Sequence, residues 1–137
     1  MTEALELEIT TPERQLVREH VSEVELPGKD GYMGILPGHA ALLSELGVGH
    51  LVYATGRKRH YVAIHNGFVE VLNDHVRVLA DAAERAEDIN VERARIALGR
   101  SREQLLNPPA GTDNSAVLAA FERAEARIEV SQHRITE

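Results

Sequence analysis

A chain of 137 residues has room for one ordinary domain, or for a small domain with an appendage, and it can bury a core without covalent staples. Its net charge of −7, with three Tyr, two Phe and no Trp, argues against phosphate-facing basic patches and base-stacking platforms, and so against a nucleic-acid partner. Cysteine is absent, which excludes disulfides and thiolate metal sites, and no apolar run approaches the ~20 residues a membrane-spanning helix needs.

In chain order, the opening MTEALELEIT is acidic and alternating, unlike a signal or transit peptide, and Leu5, Leu7 and Ile9 predict a half-buried strand. Leu16-Val17 and then Val21, Val24 and Leu26 continue the pattern less regularly. The run Gly31 to Leu43 reads as a rigid loop with an apolar tip, either anchored in its own core or offered to another chain. A hairpin follows, with Leu51-Val52-Tyr53 and Tyr61 to Ile64 on either side of a turn at Thr55-Gly56-Arg57. Asn66-Gly67 and Asn73-Asp74 mark further turns around Phe68 to Val71, and Val76, Val78 and Leu79 close the series. Short strands punctuated by Gly, Pro, Asn and Asp indicate an all-β, antiparallel sandwich or flattened barrel.

The composition changes near position 80, since eight of the ten glycines and six of the seven histidines precede it. Beyond it the chain is rich in Ala, Glu and Arg. Asp88 is the expected cap of a helix from Ile89 to Leu106, which Asn107-Pro108-Pro109 stops. After a turn through Gly111 and Thr112, Asp113, Asn114 or Ser115 caps a second helix carrying Val117, Phe121, Ala124 and Ile128 on one stripe. The expected organisation is a β-sandwich over 1–85 and an antiparallel two-helix hairpin over 86–137. The stripe is thin and alanine-rich, so the hairpin needs a docking surface.

No residue pattern points to catalysis. The histidines lack the HxxxH spacing of a helical zinc site, and His60 and His65, an odd number apart, face opposite sides of a strand. No serine sits in a GxSxG elbow, and no GxxxxGK[ST] loop is present. Arg93 and Arg100 on the first helix, with Arg123 and Arg127 on the second, converge if the helices pack antiparallel. Such a cluster suits phosphates or carboxylates, and pairing of Arg123 with Glu122 or Glu129 is the plain alternative.

The runs GYMGILPGHAALL (31–43), IHNGFVEVLNDHVRVLAD (64–81) and DINVERA (88–94) resemble the epsilon subunit of the bacterial and chloroplast rotary ATP synthase, over essentially the whole chain. That resemblance implies a ten-stranded sandwich and a non-catalytic subunit of a proton-translocating complex, with no required cofactor. It implies that the sandwich meets the gamma subunit and the membrane rotor ring, with Tyr32, Met33, Gly34, Pro37, His39 and Leu42 at the matching positions. It implies a hairpin that folds down on the sandwich or extends beside gamma to block ATP hydrolysis. Extended, Arg95, Arg100, Arg102, Arg123, Arg127 and Arg134 would face an acidic loop of a beta subunit, with alpha nearby.

Some members bind ATP as a regulatory ligand in the folded hairpin through an I/L-D-x-x-R-A motif. Here the matching residues are Ile89, Asn90, Arg93 and Ala94, with Glu84, Arg100, Arg123 and Arg127 at the remaining polar positions, and Asn90 stands where the motif has Asp. The implied location is peripheral, on the cytoplasmic face of a bacterial membrane or the stromal face of a thylakoid. Two other readings fit the residues: a stand-alone β-sandwich interaction module with a dimerising helical tail, and a small ATP-sensing domain.

Overall fold

The computed structural model describes residues 4–111 and 113–134; Thr112 of the interhelical turn lies outside them, as do the ends of both expected domains. Among the described residues are seven strands: β1 (Leu5–Thr10), β2 (Gln15–Val21), β3 (Glu23–Gly28), β4 (Gly31–Ile35), β5 (Leu42–Thr55), β6 (Lys58–Leu72) and β7 (His75–Arg85). A short 3-10 turn (Ala86–Asp88) leads into α1 (Val91–Leu106) and α2 (Asn114–Ser131).

Hydrogen bonding joins the strands into one sheet in the order β2-β1-β7-β6-β5-β3-β4. The expected count of ten strands is therefore corrected to seven. The reason lies in β5, β6 and β7, which stay continuous where a chain of turns was expected. On β6, Val62 and Ile64 point into the sandwich core, but beyond Asn66-Gly67 the core residues are Val69 and Val71, so the inward parity flips. The same flip separates Leu46 from Leu51 on β5, and Ala80 from Ala83 on β7. Pairing is kept on both sides of the flip, with Val48 opposite His65 and Leu46 opposite Gly67. The three strands thus turn a corner together and pass from one layer to the other, as sheets do at bends. Asn66 (φ 61) and Gly67 (φ 127) form the bend on β6, and a Cβ at Gly67 would overlap the Leu79 carbonyl oxygen. Asn66-Gly67 is therefore a corner within a strand and not a turn between two.

The expectation of purely antiparallel pairing is also corrected, because β1 runs parallel to β7, with Glu6 opposite His75 and Thr10 opposite Leu79. The chain crosses to the other layer after β2 and re-enters β7 from the same end as β1, where Asp74 O accepts the Glu6 N–H at 2.8 Å. The irregular stretch at Leu16-Val17 is a bulge, because Ile9 pairs with Val17 but Thr10 with Gln15. Between the layers lies one core, to which β1 gives Leu5, Leu7 and Ile9, β3 gives Val24 and Leu26, and β4 gives Ile35.

α1 starts two residues later than expected. Asn90, not Asp88, is its cap, and its side-chain oxygen accepts the Arg93 N–H at 3.0 Å. Asp113 caps α2, accepting from Ser115 N at 2.9 Å and Oγ at 2.6 Å, and these bonds hold its carboxyl below the usual range. Val117 and Ala124 of the expected stripe are buried and Phe121 and Ile128 half-buried, while a second face of α2, Ala126 and Val130, is also buried. α2 lies along β5 and β6, and α1 packs against α2.

Candidate functional site

Two regions carry the residues singled out by sequence, one at each end of the bent strands. At the far end from the helices, Leu36–His39 is a turn closed by the His39 N–H to Leu36 O at 3.1 Å, with Pro37 and Gly38 at its centre. Gly38 N–H also donates to Asp74 Oδ1 at 2.7 Å, which ties this turn to the β6–β7 turn. Leu36, Leu43 and Leu72 are exposed around them. The apolar tip expected over the whole run is shorter than expected: Tyr32, Met33 and Gly34 belong to strand β4, and Met33 and Leu42 pack against the sandwich core. Of the six contact candidates, Pro37 and His39 lie in the turn itself.

Tyr32 points elsewhere. Its ring stacks on His50 at 4.6 Å, and its hydroxyl lies 3.2 Å from both His50 N and Nδ1. Gly49 leaves the space for that hydroxyl, which a Cβ would overlap. His50 in turn meets Glu129 of α2 at 2.8 Å and Glu25 of β3 at 3.4 Å. This is part of the second region, where the hairpin docks on the sheet.

The apolar contact there is small: Ala63 of β6, Ala86 and Ile89 of the connection, and Val130 of α2, with Tyr61 at the margin. Polar latches surround it. Arg127 Nε donates to Glu84 Oε1 at 2.5 Å, His133 stacks on Tyr61 at 3.8 Å, and Arg134 donates to Ala86 O at 3.0 Å and also to Ile89 O. Beneath α2, His65 is buried, and burial first and the Arg127 charge second push it down to about 4.

The polar residues expected to hold a nucleotide are only partly brought together. Glu84, Asn90, Arg93, Ala94 and Arg127 line one cleft of about 320 Å³, joined by Asp88 and Ala97. Ile89 faces the apolar contact instead, and neither Arg100 nor Arg123 lines the cleft. Arg93 and Arg127 share the cleft, whereas Arg100 lies two turns further along α1 and Arg123 a turn earlier on α2, outside its lining. Glu129, the suggested intrahelical partner of Arg123, is bonded to His50. Of the six arginines expected at an acidic partner, Arg95, Arg100 and Arg102 are exposed on α1, Arg123 and Arg127 are half-buried, and Arg134 is engaged at the connection.

Residues 4–86 match the family described as "ATP synthase, Delta/Epsilon chain, beta-sandwich domain", and residues 87–132 match "ATP synthase, Delta/Epsilon chain, long alpha-helix domain". The ATP synthase epsilon chain of Solibacter usitatus is 56% identical over 128 residues, covering 93% of this chain and 96% of that one. The chain belongs to the ATP synthase epsilon family. As an epsilon chain it is a non-catalytic subunit of a membrane-associated complex, and among the described residues no helix is long and apolar enough to cross a membrane. The epsilon chain of Nitratidesulfovibrio vulgaris is 42% identical over 130 residues, covering 95% and 97% of the two chains. Among solved structures, a chain of the Euglena gracilis mitochondrial ATP synthase OSCP/F1/c-ring assembly superposes with a TM-score of 0.80 at 26% identity, covering 95% and 82%. One from the Tetrahymena thermophila central stalk/c-ring shares the fold, with a TM-score of 0.58 at 12% identity.

Sequence reasoning gave no docking role to His50, Glu129, Tyr61 and His133, which latch this epsilon chain's hairpin, or to His65, which lies beneath it. A signal for two of them existed, because Tyr61 and His65 share with Ala63 a parity on β6 opposite to that of Val62 and Ile64, so they occupy a second, non-core face.

Proposed function

We propose that this epsilon chain is the central-stalk subunit that couples the catalytic head of an ion-translocating ATP synthase to its membrane rotor and restrains ATP hydrolysis through a mobile hairpin. The sandwich is the anchor, with the tied Leu36–His39 and Asn73-Asp74 turns at the rotor ring and other sheet surface against gamma. The hairpin is the arm. When it extends, Arg95, Arg100 and Arg102, with Arg123, Arg127 and Arg134 freed from the sheet, meet an acidic surface of a beta subunit. The chain acts peripherally, on the cytoplasmic face of a bacterial membrane or the equivalent stromal face.

The observation that carries the arm is the docking contact: two alanines, an isoleucine and a valine, bordered by ion pairs and a ring stack. An interface of that size stabilises one packing by only a few kcal/mol, which is what a two-position element requires. Removing residues after about 85 tests it in the assembled complex. The truncated chain is expected to assemble and ATP hydrolysis to rise; an unchanged rate would mean that the hairpin does not inhibit.

The cleft lined by Asn90, Arg93 and Arg127 supports weak binding of ATP as a regulatory ligand of the docked hairpin. Asn90 already caps α1 through its oxygen, and Arg127 is already paired with Glu84, so a phosphate has to displace that pair. Calorimetric titration of ATP should show binding that Arg93→Ala abolishes and Asn90→Asp strengthens. No heat in any of the three chains would remove ATP from the reading.

A further inference from the structure

His65 lies within the docking face, on β6, between Val48 of β5 and Ala82 of β7. It is 2% exposed, and neither ring nitrogen has a hydrogen-bond partner among the described residues. A protonated ring would bury a cation with two donors and no acceptor. Two of the charged groups facing it make this worse and one offsets them in part. From α2 come Arg127 and Arg123, and from β7 comes Glu84, whose carboxylate is already taken by Arg127 at 2.5 Å. On β5 the titratable residue of this face is His50, opposite Ala63, and it is held by Glu129 and Glu25.

We propose that His65 is a proton-triggered release for the hairpin: it takes up a proton only when α2 has lifted from the sheet, so acidification drives the hairpin from docked to undocked. This rests on the reading of the hairpin as a moving arm. Lifting α2 opens the ring to water and withdraws Arg123 and Arg127 in one movement. It also frees the Glu84 carboxylate, which then favours an imidazolium. Desolvation and the two arginine charges, which disfavour a protonated His65, are therefore removed together on undocking, while the attraction of Glu84 remains.

The direction follows from linkage. The docked ring titrates at about 4 and an exposed imidazole at about 6.5, so the undocked state binds the extra proton between them. Docking is at full strength above about pH 6.5 and is lost as pH falls towards 4, by roughly tenfold at pH 5.5.

The chain has no cysteine, so nitroxide labels on Lys58→Cys and Glu125→Cys report the hairpin specifically, by electron–electron distance measurement on the full chain from pH 7.5 to 5.5. The ratio of undocked to docked hairpin is expected to rise about tenfold in the parent and to stay flat in His65→Gln. A parent distribution that ignores pH while Val130→Ala opens it would overturn the proton release and leave the moving arm standing. A hairpin that opens under neither perturbation would overturn both. Should His65→Gln fail to fold, the imidazole resonances of the parent decide: a His65 ring that titrates near 6.5 with the hairpin still docked overturns the proposal.

Discussion

Val130→Ala isolates the strength of the docking contact. Val130 is fully buried against Ala63, Ala86 and Ile89, and its truncation removes two methyl groups from a contact too small to close over the gap. Lost transfer energy and the residual cavity together come to about 2 kcal/mol. Since each 1.4 kcal/mol is a factor of ten, the docking equilibrium should shift by roughly thirtyfold towards the undocked hairpin. The sandwich core contains no part of this contact, so the main unfolding transition of the sheet should move far less than that of the hairpin. Spin-label distances between Lys58→Cys and Glu125→Cys measure the population directly, and Val21→Ala, in the sandwich core, is the control. If Val130→Ala lowers the stability of sheet and hairpin together and the distance distribution keeps its docked form, hairpin and sandwich are one cooperative unit and the argument for a weakly held arm is refuted.

Arg127→Met should weaken docking by about 1 kcal/mol, a modest figure because its pair with Glu84 is about a third exposed (31% and 34%), and added salt should reduce the difference between the two chains in the same distance measurement. Gly67→Ala should cost several kcal/mol, or prevent folding, because a Cβ at φ 127 overlaps the Leu79 carbonyl oxygen; a melting temperature within a few degrees of the parent's would contradict the corner described for β6. Asn90→Ala should lower helicity at the start of α1 and destabilise it by about 1 kcal/mol, whereas Asn90→Asp should leave it nearly unchanged, as judged by amide exchange at Arg93.

Much of this was legible because local rules and the fold agree. Leu5, Leu7 and Ile9 alternate because β1 has one face in the core, and Asn107-Pro108-Pro109 ends α1 because proline can neither donate nor continue the helix. The corner was not legible. Asn66-Gly67 has the composition of a hairpin turn, and only the two neighbouring strands, bending at the same level, make it a bend within one strand. Parallel pairing of β1 with β7 joins residues about 70 apart and has no local signature. In the candidate site, Asn90 and Arg93 were found from their motif and share a cleft, while Arg100 and Arg123, reached from both spacing and the resemblance, lie outside its lining, because spacing fixes a helix face and not a position along the axis. His50 and His65 were read only as poor metal ligands, because a histidine on a strand becomes distinctive only when a helix covers it.

The corner has a mechanical consequence. β6 and β7 start or end at the Asn73-Asp74 turn and run without a break to Ala63 and Glu84 under the hairpin, and β5 does the same from Leu42 to His50. Three covalent struts, each roughly 30 Å of extended backbone, therefore link the two ends of the molecule. A torsional load applied at the turns reaches the helical end through peptide bonds and ladder hydrogen bonds, not through a relay of side-chain contacts that could slip. Replacing one of these bends by a flexible loop would leave both ends folded and make the shaft between them compliant.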